Sequence, residues 1–377
     1  MDRRFFIYFT KKGDKYMKMP SVTIVFKEKG ITAIQRSQRG IVALILKDDN
    51  PETYKQPLTV YSITDIPETL KDFNKEQIEL ALTGYQTSPK KVLVFVQSSE
   101  VANYNEILIK LENTRFDYLV IPEIQESEVD SISSWIKSCR TLKNKKVKAV
   151  LPNCNADHEG VINFTNTIIK TKSKEFTTAE YCSRIAGLIA GTPMTISCTY
   201  APLPEIIEVD EYTKEDMDDK VHAGELFIFF DGDKHKISRG INSFITLIQD
   251  KNTSFQKIKL IDAMDMIFDD IFKTSHDYYI GKYANSYDNK CLLISAITGY
   301  FNQLELDGIL DKAKNSVFID IPAQKTYLLS TGQFTQDELE EMTEQQIKEA
   351  NTKDKVFLAS NIKILDAIEE ITLNITI

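Results

Sequence analysis

The 377-residue chain has no apolar run that approaches the ~20 residues needed to cross a bilayer. Its longest apolar segments, such as residues 41–46, have the length of a β-strand. The N-terminus also lacks the long apolar region and the small-residue cleavage site of a signal peptide. We therefore expect no membrane insertion by this chain.

Cysteine is scarce. Five cysteines stand at positions 139, 154, 182, 198 and 291, and no Cys-x-x-Cys pair occurs. An odd number of widely spaced cysteines argues against a disulfide framework and against a structural zinc site. We expect reduced, mostly buried thiols, as in a cytoplasmic protein.

Positive charge is in the minority, with a formal net charge of -9 and a pI of about 5.2. An acidic surface repels phosphate backbones, so we expect no nucleic-acid partner. Arg36, Arg39 and Lys47 flank a predicted strand and are candidates for a local contact with an acidic partner. An ordinary solvated surface is the other interpretation of these three residues.

The motifs that bind phosphates or present a nucleophile are missing. No Gly-x-Gly-x-x-Gly, no Gly-x-x-x-x-Gly-Lys-Ser/Thr and no Gly-x-Ser-x-Gly occurs. The histidines at positions 158, 222, 235 and 276 lie far apart and in no metal-ligand spacing. We therefore predict no catalytic residue, no metal ligand and no cofactor.

The densest polar cluster is the loop at residues 155–160, which reads Asn-Ala-Asp-His-Glu-Gly and comes after a predicted strand. Loops after parallel strands hold the sites of α/β enzymes, and Asp157 and His158 are the candidate groups here. An α/β enzyme of unknown substrate using the loop from Asn155 to Gly160 is therefore the alternative function. A solvated turn is the plainer interpretation.

Apolar strands alternate with amphipathic helices in the first half of the chain. The strands are predicted at residues 41–46, 92–96, 118–121 and 147–151. The helices are predicted from Asn74 to Gly84, over 104–111, over 127–142 with Ser127 and Asp130 as caps, and from a Thr177–Glu180 capping box to Ala190. This alternation predicts an α/β domain with a mainly parallel sheet covered on both faces.

The pattern changes after Pro202, where a hairpin is predicted over 226–230 and 234–237 around the turn Asp231-Gly232. Helices are predicted over 255–278 and 288–306. A third, acidic and exposed helix is predicted after the capping pair Thr335 and Glu338. The whole chain is therefore α+β.

Both ends of the chain alternate apolar and polar residues, as in a strand with one buried face. The apolar positions are Val22, Ile24 and Phe26 near the start, and Ile371, Leu373, Ile375 and Ile377 at the end. A free terminal strand is an aggregation hazard, and burying each such side chain would contribute about 1.5–3 kcal/mol. Two interpretations of the C-terminal strand are open, because it can close the chain's own sheet or add to a neighbour's sheet.

Residues 1–16 differ in character from the rest of the chain. Residues 11–14 (Lys-Lys-Gly-Asp) can be encoded by a sequence that contains a ribosome-binding site, with Met17 at a suitable distance downstream. One interpretation is that translation starts at Met17 or Met19, and the other is a genuine flexible tail. The intact mass of the native protein would distinguish the two.

Several segments along almost the whole chain from Pro20 follow one another in the order in which they occur in one known protein family. They are residues 31–44 (ITAIQRSQRGIVAL), 238–244 (SRGINSF), 258–265 (IKLIDAMD), 279–289 (YIGKYANSYDN), 299–301 and 306–308, and 356–367 (VFLASNIKILDA). In this ordered set the chain resembles the contractile tail sheath proteins of phages. The resemblance is closest to the short sheaths of PBSX-type prophages and of R-type bacteriocins in Gram-positive bacteria.

The resemblance implies a structural subunit and no enzyme. Such a subunit polymerises as stacked hexameric rings around an inner tube, and contracts to drive the tube into a target cell envelope. The implied partners are copies of the same chain, the inner tail tube protein, and the baseplate and tail terminator proteins. The chain would be assembled in the cytoplasm of the bacterial host and then be part of an extracellular phage tail or bacteriocin particle.

The resemblance also implies a division of the chain. Residues 41–240 would form an outer α/β domain of the kind called subtilisin-like, without an ordered Asp, His, Ser set for proteolysis. Residues 241–360 would form an inner α+β domain. Residues 20–40 and 361–377 would be arms that add strands to neighbouring subunits, and residues 1–19 would be a mis-called or flexible extension.

Overall fold

The computed structural model describes residues 33–36 and 39–376. Within them the strands are β1 (Ile41–Asp48), β2 (Leu58–Val60), β3 (Lys91–Ser98), β4 (Tyr118–Val120), β5 (Lys148–Pro152), β6 (Val161–Phe164), β7 (Ile169–Thr171), β8 (Ile206–Val209), β9 (Glu225–Leu226), β10 (Ile228–Phe230), β11 (His235–Ile237), β12 (Ser316–Ile319) and β13 (Leu358–Asn361). The α-helices are α1 (Asp72–Thr83), α2 (Asn105–Glu112), α3 (Glu126–Thr141), α4 (Thr178–Ala190), α5 (Lys214–His222), α6 (Ile258–Thr274), α7 (Tyr287–Leu306), α8 (Ile321–Ser330), α9 (Gln336–Glu341) and α10 (Glu344–Glu349). The expected strand at Val22, Ile24 and Phe26 lies outside the described residues.

A seven-stranded sheet in the order β2-β3-β1-β4-β5-β6-β9 forms the centre of the first half. Its strands are parallel except β2, which runs antiparallel to β3 at one edge. β1 pairs with β3 over its whole length, from Ile41 opposite Lys91 to Asp48 opposite Ser98. The predicted α/β domain with a mainly parallel sheet is confirmed.

Helices cover both faces of this sheet, which is why its central strands are apolar without alternation. Leu44 and Val94 point to the face that α1 and α4 cover, whereas Ile45 and Phe95 point to the face that α2 and α3 cover. α1 and α4 approach closely at Gly187, where an added Cβ would lie 2.1 Å from the Ala81 carbonyl oxygen. Only glycine allows this helix contact without a backbone shift.

The predicted capping box of α4 is confirmed, because Thr177 Oγ1 accepts a hydrogen bond from the Glu180 N–H at 3.3 Å. The expected caps of α3 at Ser127 and Asp130 are wrong. α3 begins earlier, and its capping box consists of Gln125 and Glu128, whose carboxylate accepts the Gln125 N–H at 3.0 Å.

Asn74 does not open α1, which begins two residues earlier at Asp72. The Asn74 side chain is buried, and its amide donates to the Lys47 carbonyl oxygen at 3.0 Å and to Asp48 at 2.9 Å. Asn74 therefore ties α1 to the end of β1, and Gly84 ends the helix as predicted.

The predicted hairpin is confirmed in β10 and β11, which pair antiparallel around the turn at Asp231 and Gly232. The helix expected over residues 255–278 is shorter, because the Ile258 N–H donates to the Gly240 carbonyl oxygen and Lys257 has an extended backbone. A 3-10 turn precedes α6, and a π-helical turn (Ser275–Tyr279) comes after it.

α6 and α7 pack together around a third apolar cluster, which is separate from the two clusters on the sheet faces. Its centre includes Met266 on α6, Ile297 and Phe301 on α7, and Leu310. β12 and β13 pair antiparallel beside α7. The boundary expected near residue 240 stays a prediction.

The expected burial of the cysteines is confirmed, since four of the five are buried and only Cys291 is partly exposed; their reduced state stays a prediction. No helix in residues 33–36 and 39–376 is both long and apolar enough to cross a membrane.

Candidate functional site at the C-terminal segment

The C-terminal segment, residues 366–376, leaves its apolar side chains in solvent. Ile371 is 84% exposed, and Leu373 and Ile375 are each 76% exposed. Residues 371–376 form no strand with any other described part of the chain. The interpretation in which this segment closes the chain's own sheet is therefore wrong for these residues. Ile377 lies outside the described residues.

The beginning of this segment is held by one buried carboxylate. Glu369 accepts hydrogen bonds from Thr199 Oγ1 at 2.7 Å and from Ser197 Oγ at 3.3 Å. It also pairs with Lys257 Nζ at 3.0 Å and with Arg239 Nε at 3.1 Å, and its side chain is only 8% exposed. Burial raises the pKa of Glu369, but the bonds from Thr199 and Lys257 outweigh burial and hold the pKa below its ordinary value.

Further contacts surround Glu369 on both sides in the sequence. Lys257 pairs with Asp366 as well, and Arg239 Nη2 lies 3.2 Å from Glu370. The Leu365 N–H donates to the Ile309 carbonyl oxygen at 2.9 Å. The segment is thus anchored through residue 370 and extends free of the chain from Ile371 onward.

A small sheet with open edges lies in the same half of the chain. β12 and β13 form a two-stranded sheet, from Ser316 opposite Asn361 to Ile319 opposite Leu358. No strand in the described ranges pairs with the outer edge of either one, and Phe318 is 43% exposed. An open edge presents unpaired N–H and C=O groups, which can pair with an added strand.

A buried ionic cluster fixes α6 to the large sheet. Asp265 accepts two hydrogen bonds from Arg140, each 2.9 Å, and one from Lys148 at 2.8 Å. Lys148 also lies 2.9 Å from Asp262, which accepts the Tyr118 hydroxyl hydrogen. Burial raises the pKa of Asp265, but Lys148 and Arg140 outweigh it and lower the pKa to about 2.

Sequence patterns alone did not reveal this cluster or the Glu369 anchor. A signal exists for the cluster, because Asp262, Asp265 and Asp269 recur at intervals of three and four residues and so share one side of α6. The partners of Asp262 and Asp265 are Arg140 and Lys148, more than 110 residues away, so no local pattern connects them. Nothing in the sequence distinguishes Glu369 from its exposed neighbour Glu370.

Arg36, Arg39 and Lys47 were candidates for a contact with an acidic partner, and Arg39 is instead paired within the chain. Arg39 pairs inside the chain with Asp117 at 2.7 Å and with Asp269 at 2.8 Å. Arg36 pairs with Asp307 at 2.7 Å, and Lys47 Nζ lies 5.6 Å from the centre of the Tyr104 ring. Of the three, Arg39 is therefore engaged in the packing of the chain itself.

The loop at residues 155–160 is a structural junction. Asp157 accepts the Ile245 and Thr246 N–H groups at 2.7 and 2.9 Å, and His158 Nδ1 accepts the Gly160 N–H at 3.0 Å. Burial lowers the pKa of His158 to about 4. In residues 33–36 and 39–376, no group of three or more His, Cys, Asp or Glu side chains is placed to hold a metal ion. Asp157 and the backbone of His158 are thus engaged by residues 243–246, and Glu159 pairs with Lys251.

Solved structures that align with this chain include tail sheath proteins. The helical sheath of the anti-feeding prophage in its contracted state aligns with a TM-score of 0.69 at 14% identity, over 96% of this chain and 99% of that one. The sheath tail protein of Desulfitobacterium hafniense aligns with a TM-score of 0.67 at 19% identity, over 80% and 94% of the two chains. The fold is therefore that of a tail sheath subunit.

Sequence comparison gives the family. Residues 97–243 match the phage tail sheath protein central domain, and residues 250–377 match the phage tail sheath C-terminal domain. The tail sheath protein of Clostridium phage phiCD119 is 40% identical over 94% of this chain and 98% of its own length. Protein XkdK of the phage-like element PBSX in Bacillus subtilis is 26% identical over 174 residues, 45% of this chain and 37% of its own length. The chain belongs to the phage tail sheath family, as its sequence resemblance implies.

Proposed function

We propose that this chain polymerises as stacked six-membered rings around an inner tube, with each C-terminal segment adding a strand to a neighbouring subunit. The observation that carries the proposal is the segment from Ile371 onward, which is anchored at Glu369 but leaves its alternating apolar side chains exposed. Each subunit also carries an acceptor for such a segment, because the sheet of β12 and β13 has open edges. The residues near Val22, Ile24 and Phe26 would supply the second arm.

Strand addition suits a polymer that has to rearrange without coming apart. Each backbone hydrogen bond in an added strand contributes about 0.5–1.5 kcal/mol net and does not depend on side-chain identity. The link between subunits can therefore survive while other contacts between rings exchange. Contraction then proceeds from a metastable extended lattice to a better packed one and drives the inner tube into a target cell envelope.

The proposal includes no nucleotide hydrolysis, since the sequence has no phosphate-binding loop. The matching family models describe tail sheath domains and the phiCD119 relative is a tail sheath protein, which supports a structural role over the alternative enzyme at residues 155–160. The inner tail tube protein, the baseplate and the tail terminator are the proposed partners. Assembly would occur in the bacterial host cytoplasm, and the finished tail or bacteriocin would be extracellular.

Negative-stain electron microscopy of the purified, untagged full-length protein tests the proposal. We expect hollow, helically striated cylinders from the full chain and none after deletion of residues 371–377. The deletion variant should keep its circular dichroism spectrum, because residues 371–376 are all exposed in the isolated subunit. Discrete small particles from the full chain at high concentration would contradict the proposal.

A further inference from the structure

A cleft of about 350 Å³ lies between the end of α2, the loop after α3 and the second half of α6. We call it the basic cleft. Five cations line it against two carboxylates: Arg115, Lys143, Lys145, Lys146 and Lys273 against Glu112 and Asp269. The local excess of positive charge is opposite in sign to the whole chain, whose formal net charge is -9.

The chain does not neutralise these cations fully. Arg115 Nη2 is 3.5 Å from Asp269, but that carboxylate is already paired with Arg39 at 2.8 Å. The buried Arg115 Nε finds no hydrogen-bond acceptor in the described part of the chain. Burial and the charge of Arg140 lower the pKa of Lys146. An anionic group from another molecule would offset the repulsion between Lys146 and Arg140.

Exposed apolar surface lies in the basic cleft and beside it. Phe272 is 52% exposed and stacks on Phe268 with ring centres 5.7 Å apart. Leu142, next in sequence to Lys143, is 78% exposed. Cations beside aromatic and aliphatic groups favour a protein surface that carries carboxylates over a small free anion.

A surface of the required sign exists on the same chain. α9 and α10, which we call the acidic helix pair, carry six carboxylates and one lysine: Asp337, Glu338, Glu340, Glu341, Glu344 and Glu349 with Lys348. All six carboxylates are exposed. Within the described ranges their one ion pair is between Lys348 and Glu344, at 3.8 Å.

The acidic helix pair is packed against the rest of the subunit. Capping boxes at Thr335 and Thr343 begin the two helices. Leu339 and Ile347 are buried, and the buried Gln324 side chain donates to the Ile347 carbonyl oxygen at 2.5 Å. The carboxylates are therefore presented in a fixed arrangement that a partner surface can match.

We infer that the basic cleft of one subunit receives the acidic helix pair of a neighbouring copy. This inference rests on the proposed polymerisation. A contact between two different patches of identical chains is head-to-tail, and when it does not close into a ring it generates a helical filament. The opposite charges of the two patches would select this contact and its register.

Two charge-reversal variants test the pairing. The cleft variant carries Lys146→Glu and Lys273→Glu, and the helix variant carries Glu340→Lys, Glu341→Lys and Glu349→Lys. The helix substitutions fall in the last turns of α9 and α10, where lysine is favourable for the helix dipole. Each variant then presents two patches of one sign, acidic in the first variant and basic in the second.

We expect neither variant alone to form polymers, or to do so only at a critical concentration at least about tenfold above that of the wild type. An equimolar mixture of the two should polymerise, because each acidic patch then meets a basic one. Sedimentation and negative-stain microscopy in low salt measure both effects. Circular dichroism checks that each variant is folded.

The control for the cleft variant is Lys55→Glu with Lys172→Glu. It makes the same change in net charge as the cleft variant, at exposed lysines outside the cleft, and should polymerise like the wild type. Polymerisation of either folded charge-reversal variant alone, at the wild-type concentration, would overturn the inference. So would a mixture of folded variants that fails to polymerise. Failure of the wild type itself would instead overturn the proposed polymerisation.

Discussion

Glu369 and Lys257 meet 3.0 Å apart at the point where the C-terminal segment leaves the rest of the chain. Lys257 directly precedes α6. Burial lowers its pKa, but the hydrogen bonds that it donates to Asp366 and Glu369 outweigh burial and raise the pKa above its ordinary value. The ion pair therefore connects the base of the exposed segment to the helix that the buried ionic cluster fixes on the large sheet. The direction in which the segment extends is thus coupled to the body of the subunit.

We predict that Glu369→Gln weakens polymerisation more than it weakens the fold. The neutral side chain leaves Lys257 and Arg239 short of a counter-ion, which costs about 1–3 kcal/mol in stability and loosens the anchor. Polymer yield at a fixed concentration, measured by sedimentation, should fall at least several-fold. Glu370→Gln is the matched control, because the Glu370 side chain is 83% exposed. Equal losses from both variants would contradict the anchoring role.

The pair of Asp265 and Arg140 gives a prediction for stability. Asp265→Asn removes the carboxylate that two buried cations, Arg140 and Lys148, share, and should lower the free energy of unfolding by about 3–5 kcal/mol. Urea unfolding at concentrations too low for polymerisation measures this. Asp72→Asn is the control, since the Asp72 carboxylate is fully exposed and its change should be minor. A loss below about 1 kcal/mol for Asp265→Asn would show that the cluster is not a determinant of stability.

His158 gives a prediction for pH dependence. Burial lowers its pKa from 6.5 to about 4, so the unfolded chain binds one more proton than the folded chain between these values. The stability that neutral His158 provides is therefore present above about pH 6.5 and is lost as the pH falls toward about 4, by at most about 1.4 kcal/mol per pH unit.

Urea unfolding of the wild type and of His158→Asn at about pH 7 and about pH 5 measures this contribution. Asparagine keeps an acceptor for the Gly160 N–H that His158 Nδ1 now accepts. The difference between the two proteins isolates His158 from His235, whose pKa burial also lowers. Equal pH dependence in both proteins would contradict the assignment.

Sequence patterns predicted the elements whose cause is local. The run at residues 41–46 predicts a strand buried on both faces, and the pair Thr177 and Glu180 predicts the start of α4. The start of α6 has a cause outside the helix, because the Ile258 N–H donates to the Gly240 carbonyl oxygen. A hydrophobic period of 3.6 residues does not reveal a contact with a distant segment.

Of the candidate site, the exposed segment was predictable from the sequence and its anchor at Glu369 was not. Alternation at Ile371, Leu373 and Ile375 marks the exposed segment, whose pattern depends on the segment alone. Its anchor joins Glu369 to Thr199 and Lys257, which lie 170 and 112 residues away, and only the folded chain brings them together. Opposite charges on distant segments have no periodicity that would reveal such a contact.

The two faces of the C-terminal segment should differ in their effect on assembly. In an added strand, Ile371, Leu373 and Ile375 would lie on one side, and Thr372, Asn374 and Thr376 would lie on the other. If the segment adds to a neighbour's sheet, one side faces apolar surface and the other faces solvent. Ile371→Asp with Leu373→Asp should therefore abolish polymerisation, since each loses about 1.5–3 kcal/mol of burial and would bury a charge instead.

The matched variant Thr372→Asp with Asn374→Asp changes the net charge equally on the opposite face and should still polymerise. Leu373→Pro is a third variant, because proline removes one backbone N–H from the added strand and should weaken polymerisation through the backbone. All three chains should remain folded, because these residues are exposed in the isolated subunit. Electron microscopy and sedimentation of the three variants decide the matter: equal losses from both aspartate pairs would indicate general charge repulsion in place of a strand with one buried face.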